Sequence, residues 1–555
     1  MISFRLDGLS WAKLGRRRPI DWVANLGLAA VVVGAVFHAC RYRNVVIDDS
    51  FITFRHAANL VHGNGFTCTP GQRVEGTSSP LFGLLLAFPI ALEVDPYVVA
   101  SWLSTAAFAG CVVIAYATVS TWLDGSGARW LGLGAAILVA TSPILAFHSQ
   151  TGLETLAYAC TLACAWHLQL IALKRGEGTV GWARVMGVAA LLRPEGFAFF
   201  LLMFGFGWLA RIRQSAARAT PRRELLAFGV IWVPWVLFRL AYFGTWLPNT
   251  VIAKSGHIPW SSGSFFTVLR DVILHGAGTS QLKGFVIENA VAMVLLLGAI
   301  ALSRVRIPIL FAIALTISYA AVTTWNGGDW MLHYRLLTPC IVPLAVGTVL
   351  GLRAFLFHTE QRGHQHFPSI LISTAVLGVI VSGRSELPID DGAIKDLPRI
   401  REVGQRLASI RREDNRVVSA TAGILPYYWE APSIDMFGLC DRHIAKNGKP
   451  LPFGLGRSAP DYLVAQRPTF YAFEYVGVAV EFFASREFAK ERGKYALVQY
   501  PAQYLGAKNF NAPTLFVRKD RPELDRIERA LGGKLVDAEQ ELRRLGFLDD
   551  SRLAR

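Results

Sequence analysis

Of the 555 residues, 53% are apolar and 17% charged, with a mean hydropathy of +0.37. Soluble domains carry about 25% charged residues, so a purely water-soluble globule is excluded and a bilayer is the natural solvent. The net charge of +16 could serve nucleic acid or anionic lipid. Its placement favours lipid, because no groove of basic and aromatic residues is visible and the basic residues sit between apolar segments.

In chain order, about eleven segments approach the roughly 20 apolar residues a spanning helix needs. They lie near 22–40, 99–122, 130–147, 152–172, 181–192, 196–210, 224–243, 285–303, 306–323, 336–354 and 368–383. The first has a basic lead-in (Lys13, Arg16, Arg17, Arg18) like a signal peptide, but it lacks a small-x-small exit and reads as an uncleaved anchor. Further basic clusters stand at Lys174, Arg175 and Arg184, at Arg211, Arg213, Arg218, Arg222 and Arg223, and at Arg304 and Arg306. The positive-inside rule makes these loops cytoplasmic. The loop at about 42–79, the stretches 148–155, 193–196, 247–284 and 326–334, and everything after 385 then face outward. This parity requires 80–97 to dip into the membrane and return, or to lie along it. If that segment crosses once, 148–155 becomes cytoplasmic and 181–210 collapses to one helix with Arg193 buried in it.

Beyond 385 the pattern changes to mixed charge with scattered aromatics. Helices are expected at 395–411 and 521–545, and strands at 416–420 and 495–500. The expected fold is an α-helical integral membrane protein with about eleven transmembrane helices over 1–384, followed by a soluble mixed α/β extracytoplasmic domain over 385–555. No repeat and no low-complexity tract is present. Cys40, Cys111, Cys160, Cys164 and Cys340 lie in apolar segments as small hydrophobes. Cys68 and Cys440 fall outside the membrane, where an oxidising compartment would let them pair; the adopted reading is two separate thiols.

Directly after the anchor, Asp48 and Asp49 meet the membrane surface. As the first residues of a helix they would sit at its positive end, which stabilises the ionised form. They serve there either as an N-cap or as a general base on a sugar hydroxyl. The same loop adds Arg55, Glu75 and several hydroxyls. His148 and Glu154, then Arg193 and Glu195, then Asn249 and Lys254, and finally Asp329 and Arg335 follow at outer ends of helices. Ionisable groups are rare at such depth and usually line a cavity, so their gathering on one side marks a candidate site. Arg193, Lys254 and Arg335 are candidates to hold a phosphate, and spacing does not rank them. No cofactor is indicated, since no tight His or Cys cluster occurs, and a divalent ion shared by Asp48, Asp49 and Asp329 stays open as an alternative. P-loop, Gly-x-Ser-x-Gly and dinucleotide signatures are absent, which removes ATP-driven transport and serine hydrolysis.

The ordered motifs resemble those of the glycosyltransferases of the C superfamily (GT-C), above all the group that contains the mycobacterial terminal β-arabinofuranosyltransferase. They are Asp48-Asp49-Ser50-Phe51-Ile52-Thr53-Phe54-Arg55, Gly63-Asn64-Gly65, Pro70-Gly71-Gln72-Arg73-Val74-Glu75-Gly76, Gly152-Leu153-Glu154-Thr155, Arg193-Pro194-Glu195-Gly196, Pro248-Asn249-Thr250 and Gly327-Gly328-Asp329-Trp330-Met331. In the tail, Gly423-Ile424-Leu425-Pro426-Tyr427-Tyr428 and Asp435-Met436-Phe437-Gly438-Leu439-Cys440-Asp441 extend the series. The resemblance implies a multi-pass enzyme of the cell inner membrane. It would move a sugar, arabinofuranose in that group, from a polyprenyl-phosphate donor to an envelope glycan or glycolipid acceptor. It also implies inversion at the anomeric carbon, with an acid of the first loop as base; by position Asp48 matches that aspartate better than Asp49. Membrane lipid is the remaining partner, and no nucleic acid is expected. A secondary transporter or lipid flippase is the alternative, but matching halves with broken helices are not seen.

Overall fold

The computed structural model describes residues 19–553 apart from 44, 125–126, 177–178, 214–220, 256–276, 303–305, 326–327, 330, 332, 357–391, 452–454, 474–475, 500–513 and 523. The apolar segment expected at 368–383 and the basic residues before Pro19 lie outside the described residues. So do Asn326, Gly327 and Trp330.

Among the described residues six helices are long and apolar enough to cross a bilayer. These are α1 (Pro19–Cys40), α4 (Pro96–Trp122), α7 (Thr155–Arg175), α10 (Pro221–Phe243), α14 (Arg306–Trp325) and the run from a 3₁₀ turn at Arg335–Cys340 into α15 (Ile341–Leu356). Large apolar side chains on the outer faces of α1 and α10, such as Phe37 and Val230, are more than 70% exposed. Contiguous exposure of that kind suits lipid rather than water. The remaining expected segments take other forms. Residues 130–147 divide into α5 (Ala128–Ala140) and α6 (Pro143–His148), because Ser142 and Pro143 start a new helix and the Ser142 hydroxyl accepts the Leu145 N–H. α8 (Gly181–Leu192) and α9 (Gly196–Arg213) are shorter apolar helices broken at Arg193 to Glu195. The segment at 285–303 becomes α12 (Ala277–Glu288) and α13 (Ala290–Leu302), bent by 76° at Asn289.

The first loop is mostly ordered. It contains α2 (Asp48–Val61) and α3 (Pro80–Ala91), and a six-residue α11 (Asn249–Lys254) packs beside it from the loop after α10. α3 has 12 residues, about 18 Å at 1.5 Å per residue, which falls short of the roughly 30 Å hydrocarbon layer.

In the tail, α16 (Gly392–Ala408), α17 (Ile424–Trp429) and α18 (Arg442–Asn447) accompany a six-stranded sheet of order β2-β1-β5-β7-β6-β8. Strands β2 (Ser433–Asp435), β1 (Val417–Ser419) and β5 (Phe470–Phe473) are parallel; β7 (Thr514–Arg518), β6 (Tyr495–Gln499) and β8 (Lys534–Asp537) continue antiparallel. A β3 (Lys449–Leu451) and β4 (Gly456–Ser458) hairpin stands apart. The helix expected over 521–545 is instead Leu524–Leu531, strand β8 and Ala538–Arg544. The chain turns at Gly532, with φ of 65°, and Lys534–Asp537 pairs with β6.

The tail does not hang free of the membrane body. Ile400, Leu407, Ile424, Leu425 and Trp429 share one apolar core with Phe51 and Phe54 of α2. The separate-thiol reading of Cys68 and Cys440 is corrected: they form a disulfide, with Cα atoms 6.0 Å apart, across 372 residues of sequence. Gly76 passes directly over this bridge, where any Cβ would meet Cys440 Sγ at 2.5 Å and Cys68 Sγ at 2.6 Å. Only glycine fits there.

Candidate active site

Helix ends bring the outward-facing ionisable residues together. Asp49 occupies the first turn of α2, Glu154 precedes α7, Arg193 and Glu195 form the α8–α9 break, and Lys254 ends α11. Asp329 and Arg335 belong to the connection from α14 to the 3₁₀ turn. All seven line a cavity of about 430 Å³, and Thr53, Thr77, Ser78 and Thr250 add hydroxyls. Leu153, Leu247, Val251, Val322 and Leu336 give it an apolar wall, and Leu439 brings the tail into the lining.

The charges are organised in two groups. Arg193 donates from Nη1 to Glu154 at 3.1 Å and from Nε to Glu195 at 2.5 Å, while its guanidinium lies 5.8 Å from the centre of the Tyr158 ring. Arg335 lies 2.9 Å from Asp329 and 3.7 Å from Asp49. Burial would push the Asp329 carboxyl up, but the neighbouring Arg335 and Lys254 charges override it and hold the group below the usual range. Arg335 is delivered by an unusual backbone: His333 and Tyr334 both have positive φ, 60° and 56°. Such strain persists only where the surroundings enforce it. Here the buried His148 ring lies 3.0 Å, at Nε2, from the His333 carbonyl. Lys254 differs from both arginines, for no ion pair or hydrogen bond ties its ammonium to a described residue.

Asp48 is placed differently from Asp49. It turns away from the cavity and reaches the tail, where the N–H groups of Gly423 and Ile424 donate to its two oxygens at 3.0 and 2.6 Å. It therefore neither caps its own helix, whose N-cap is Ile47, nor lines the cavity. It caps α17 of the tail. Burial raises its pKa to about 7 against the pull of those two bonds. Gly423 is pressed so close that a Cβ would lie 2.0 Å from the Asp48 carbonyl.

Four other expected site residues also stand behind the cavity rather than in it. Arg55 donates to the Ala422 carbonyl and Ser433 hydroxyl, each at 2.7 Å. Glu75 is held by Arg239 at 2.5 and 3.1 Å, and Asn249 donates to the carbonyls of Gly438 and Leu439 at 2.8 and 2.9 Å. His148 supports the Arg335 turn. Sequence reasoning missed Arg239, although a lone arginine within an apolar helix is itself a signal for a buried partner. The cation site considered for Asp48, Asp49 and Asp329 is not assembled, because Asp48 faces the tail and Arg335 stands between the other two. Among the described residues no group of three or more His, Cys, Asp or Glu could hold a metal.

Residues 393–525 match a family model described as a domain of unknown function (DUF8728). Over 244 residues, 40% of the chain, it is 32% identical to a terminal beta-(1->2)-arabinofuranosyltransferase of Mycobacterium tuberculosis. Over 256 residues, 42% of the chain, it is 26% identical to the protein of that name from Corynebacterium glutamicum. Either match spans 37% of the relative's own length. By structure the chain superposes on ArnT from Cupriavidus metallidurans, solved bound to undecaprenyl phosphate, with a TM-score of 0.50 and 14% identity over 90% of this chain and 98% of that one. Over part of its length the chain is thus similar in sequence to terminal arabinofuranosyltransferases, and over most of its length it shares the fold of ArnT.

Proposed function

We propose that the chain is an inverting membrane glycosyltransferase that moves arabinofuranose from a polyprenyl-phosphate donor to an envelope glycan or glycolipid, with Asp49 as general base. The observation that carries this reading is the position of Asp49. It is the first-loop acid that faces the cavity, and no hydrogen bond to a described residue occupies its carboxylate. A carboxylate so placed can take the proton of an acceptor hydroxyl as that oxygen attacks the anomeric carbon. The bond from that carbon to the phosphate oxygen breaks with attack from the opposite face. The leaving polyprenyl phosphate keeps the electron pair, and its growing charge is met by Lys254 and by Arg335. The apolar wall of Leu247, Val251, Val322 and Leu336 suits the first isoprene units beside that phosphate. The transferase names of the sequence relatives favour this reading over transport.

The orientation belongs to the same proposal: 385–555 is a soluble domain on the extracytoplasmic side of the inner membrane, a reading supported by its disulfide to the first loop, since such bonds persist in oxidising compartments. Alkaline phosphatase fused at about position 390 should be active, and cytoplasmic-type fluorescence of a fusion there would reject the orientation. The function is tested with purified protein and radiolabelled polyprenyl-phosphate arabinofuranose. Wild type should label an oligosaccharide acceptor and Asp49→Asn should not; equal labelling by both removes Asp49, and no labelling by wild type removes the function.

A further inference from the structure

A second, open cavity of about 520 Å³ lies where the first loop, the outer end of α10 and the tail meet. Arg73 is exposed there, with its guanidinium stacked 4.8 Å from the centre of the Tyr242 ring. The exposed His443 ring lies parallel to Tyr462, 4.2 Å away and tilted by 17°. Tyr462 donates its hydroxyl proton to Asp441 Oδ2 at 3.2 Å, while Asp441 Oδ1 accepts the Ile444 N–H at 2.9 Å. Arg442 pins the seam by donating to the carbonyls of Arg73 at 2.8 Å and Phe243 at 2.6 Å. The groove therefore offers rings held in fixed planes beside a guanidinium fork, a carboxylate and the exposed amide of Gln72. That is the chemistry a carbohydrate needs: its C–H faces rest on rings, and its hydroxyls meet planar donors and acceptors. A lipid chain would find too many charges, and an anion would face Asp441.

Three chain segments line this groove and then, a few residues on, the catalytic cavity. Residues 72–74 lead to Gly76 and Thr77, Asp441 lies two residues from Leu439, and 241–244 lead to Leu247 and Thr250. Two residues span at most about 7 Å of extended chain, so the two cavities stand within reach of one short glycan. Along the chain, the residues between the two linings include Glu75, paired with Arg239, and Cys440, bridged to Cys68. We infer that the groove lined by Arg73, Asp441, His443 and Tyr462 is an acceptor subsite, which binds the part of the glycan remote from the reacting hydroxyl. This rests on the transferase reading for its role in turnover, though not for binding itself.

The test uses full-length protein and the exposed pair Arg73→Ala with His443→Ala, whose melting temperature should match wild type. With a linear arabinofuranosyl hexasaccharide as acceptor, KM should rise about tenfold with kcat kept, since the lost contact is made equally in ground and transition states. With a disaccharide, too short to reach the groove, KM should not move. An unchanged hexasaccharide KM, or equal losses on both acceptors, overturns the subsite. Calorimetric titration with the hexasaccharide alone separates the two proposals. Binding that the double variant weakens about tenfold supports the groove even where no transfer occurs and the transferase reading falls. Binding equal in both proteins, or none by wild type at millimolar concentration, overturns the groove.

Discussion

Replacing each of the adjacent acids by asparagine tests the division of labour between them. Asp49 carries no hydrogen bond from a described residue and lies 3.7 Å from Arg335, so Asp49→Asn changes little that holds the fold. It removes the only first-loop carboxylate facing the cavity that could accept a proton, and a loss of about 10² to 10⁴ in turnover is expected. Asp48→Asn acts elsewhere. Its carboxylate accepts the N–H groups of both Gly423 and Ile424, whereas an amide offers one oxygen and turns its NH₂ toward the second donor. One buried N–H is left unpaired, at a cost of about 1 to 3 kcal/mol, in a chain that otherwise keeps its chemistry. Both variants, purified in detergent, are followed by transfer of labelled sugar and by thermal melting. Asp49→Asn should melt like wild type and turn over at the background rate; Asp48→Asn should melt earlier and retain turnover within a few-fold at a temperature where it is folded. The opposite pattern, with Asp48→Asn folded but inactive and Asp49→Asn active, would refute the assignment and return the base to Asp48.

Lys254→Met should raise the donor KM about 30-fold or more, for loss of a desolvated charge pair worth about 2 to 5 kcal/mol, with melting unchanged; an unaltered donor KM excludes it from the phosphate site. Cys68→Ser should cost about 2 to 5 kcal/mol of stability, and in wild type the pair should accept a maleimide only after reduction; labelling of both residues without reductant contradicts the bridge. The Asp48 pKa is raised from 3.8 to about 7 by burial, so the folded state holds this proton more tightly than the unfolded chain. Its stabilising contribution is complete below pH 3.8 and is lost as pH rises through about 7. Asp435, raised to about 6 by burial, acts with the same sign. Wild-type melting temperature should therefore fall between pH 5 and 8 more steeply than that of Asp48→Asn, and parallel curves would show that Asp48 is not the titrating group.

The broad outline is legible in the sequence because its signals are local. Apolar length points to the six helices able to span a bilayer, and charge placement groups Asp49, Glu154, Arg193, Glu195, Lys254, Asp329 and Arg335, which the structure gathers around one cavity. What escapes depends on packing between distant segments. Successive residues of a helix point about 100° apart, so one of two adjacent acids must turn away from whatever the other faces. Nothing near Asp48 says which, since its partners lie 375 and 376 residues on. The Cys68–Cys440 pairing is hidden for the same reason. Likewise Arg193 and Arg335 are equivalent to Lys254 by spacing, and only the structure shows that carboxylates bind both arginines directly while no described residue forms an ion pair or hydrogen bond with the Lys254 ammonium.

That long-range packing also explains why the loop that bears Asp49 holds its shape. Burying an ion without partners costs several kcal/mol, and the first loop buries three charged side chains whose partners come from elsewhere. Asp48 is satisfied by Gly423 and Ile424, Arg55 by Ala422 and Ser433, and Glu75 by Arg239 of α10. Without the tail, Asp48 and Arg55 would have to regain water, which α2 can do only by leaving the apolar core that Phe51 and Phe54 share with Leu425 and Trp429. The first turn of that same helix sets Asp49 against Arg335. The tail is therefore part of the machinery that positions the proposed base, in addition to lending Leu439 to the cavity, and a chain lacking it would lose the geometry of the site even with every cavity-lining residue before position 385 intact.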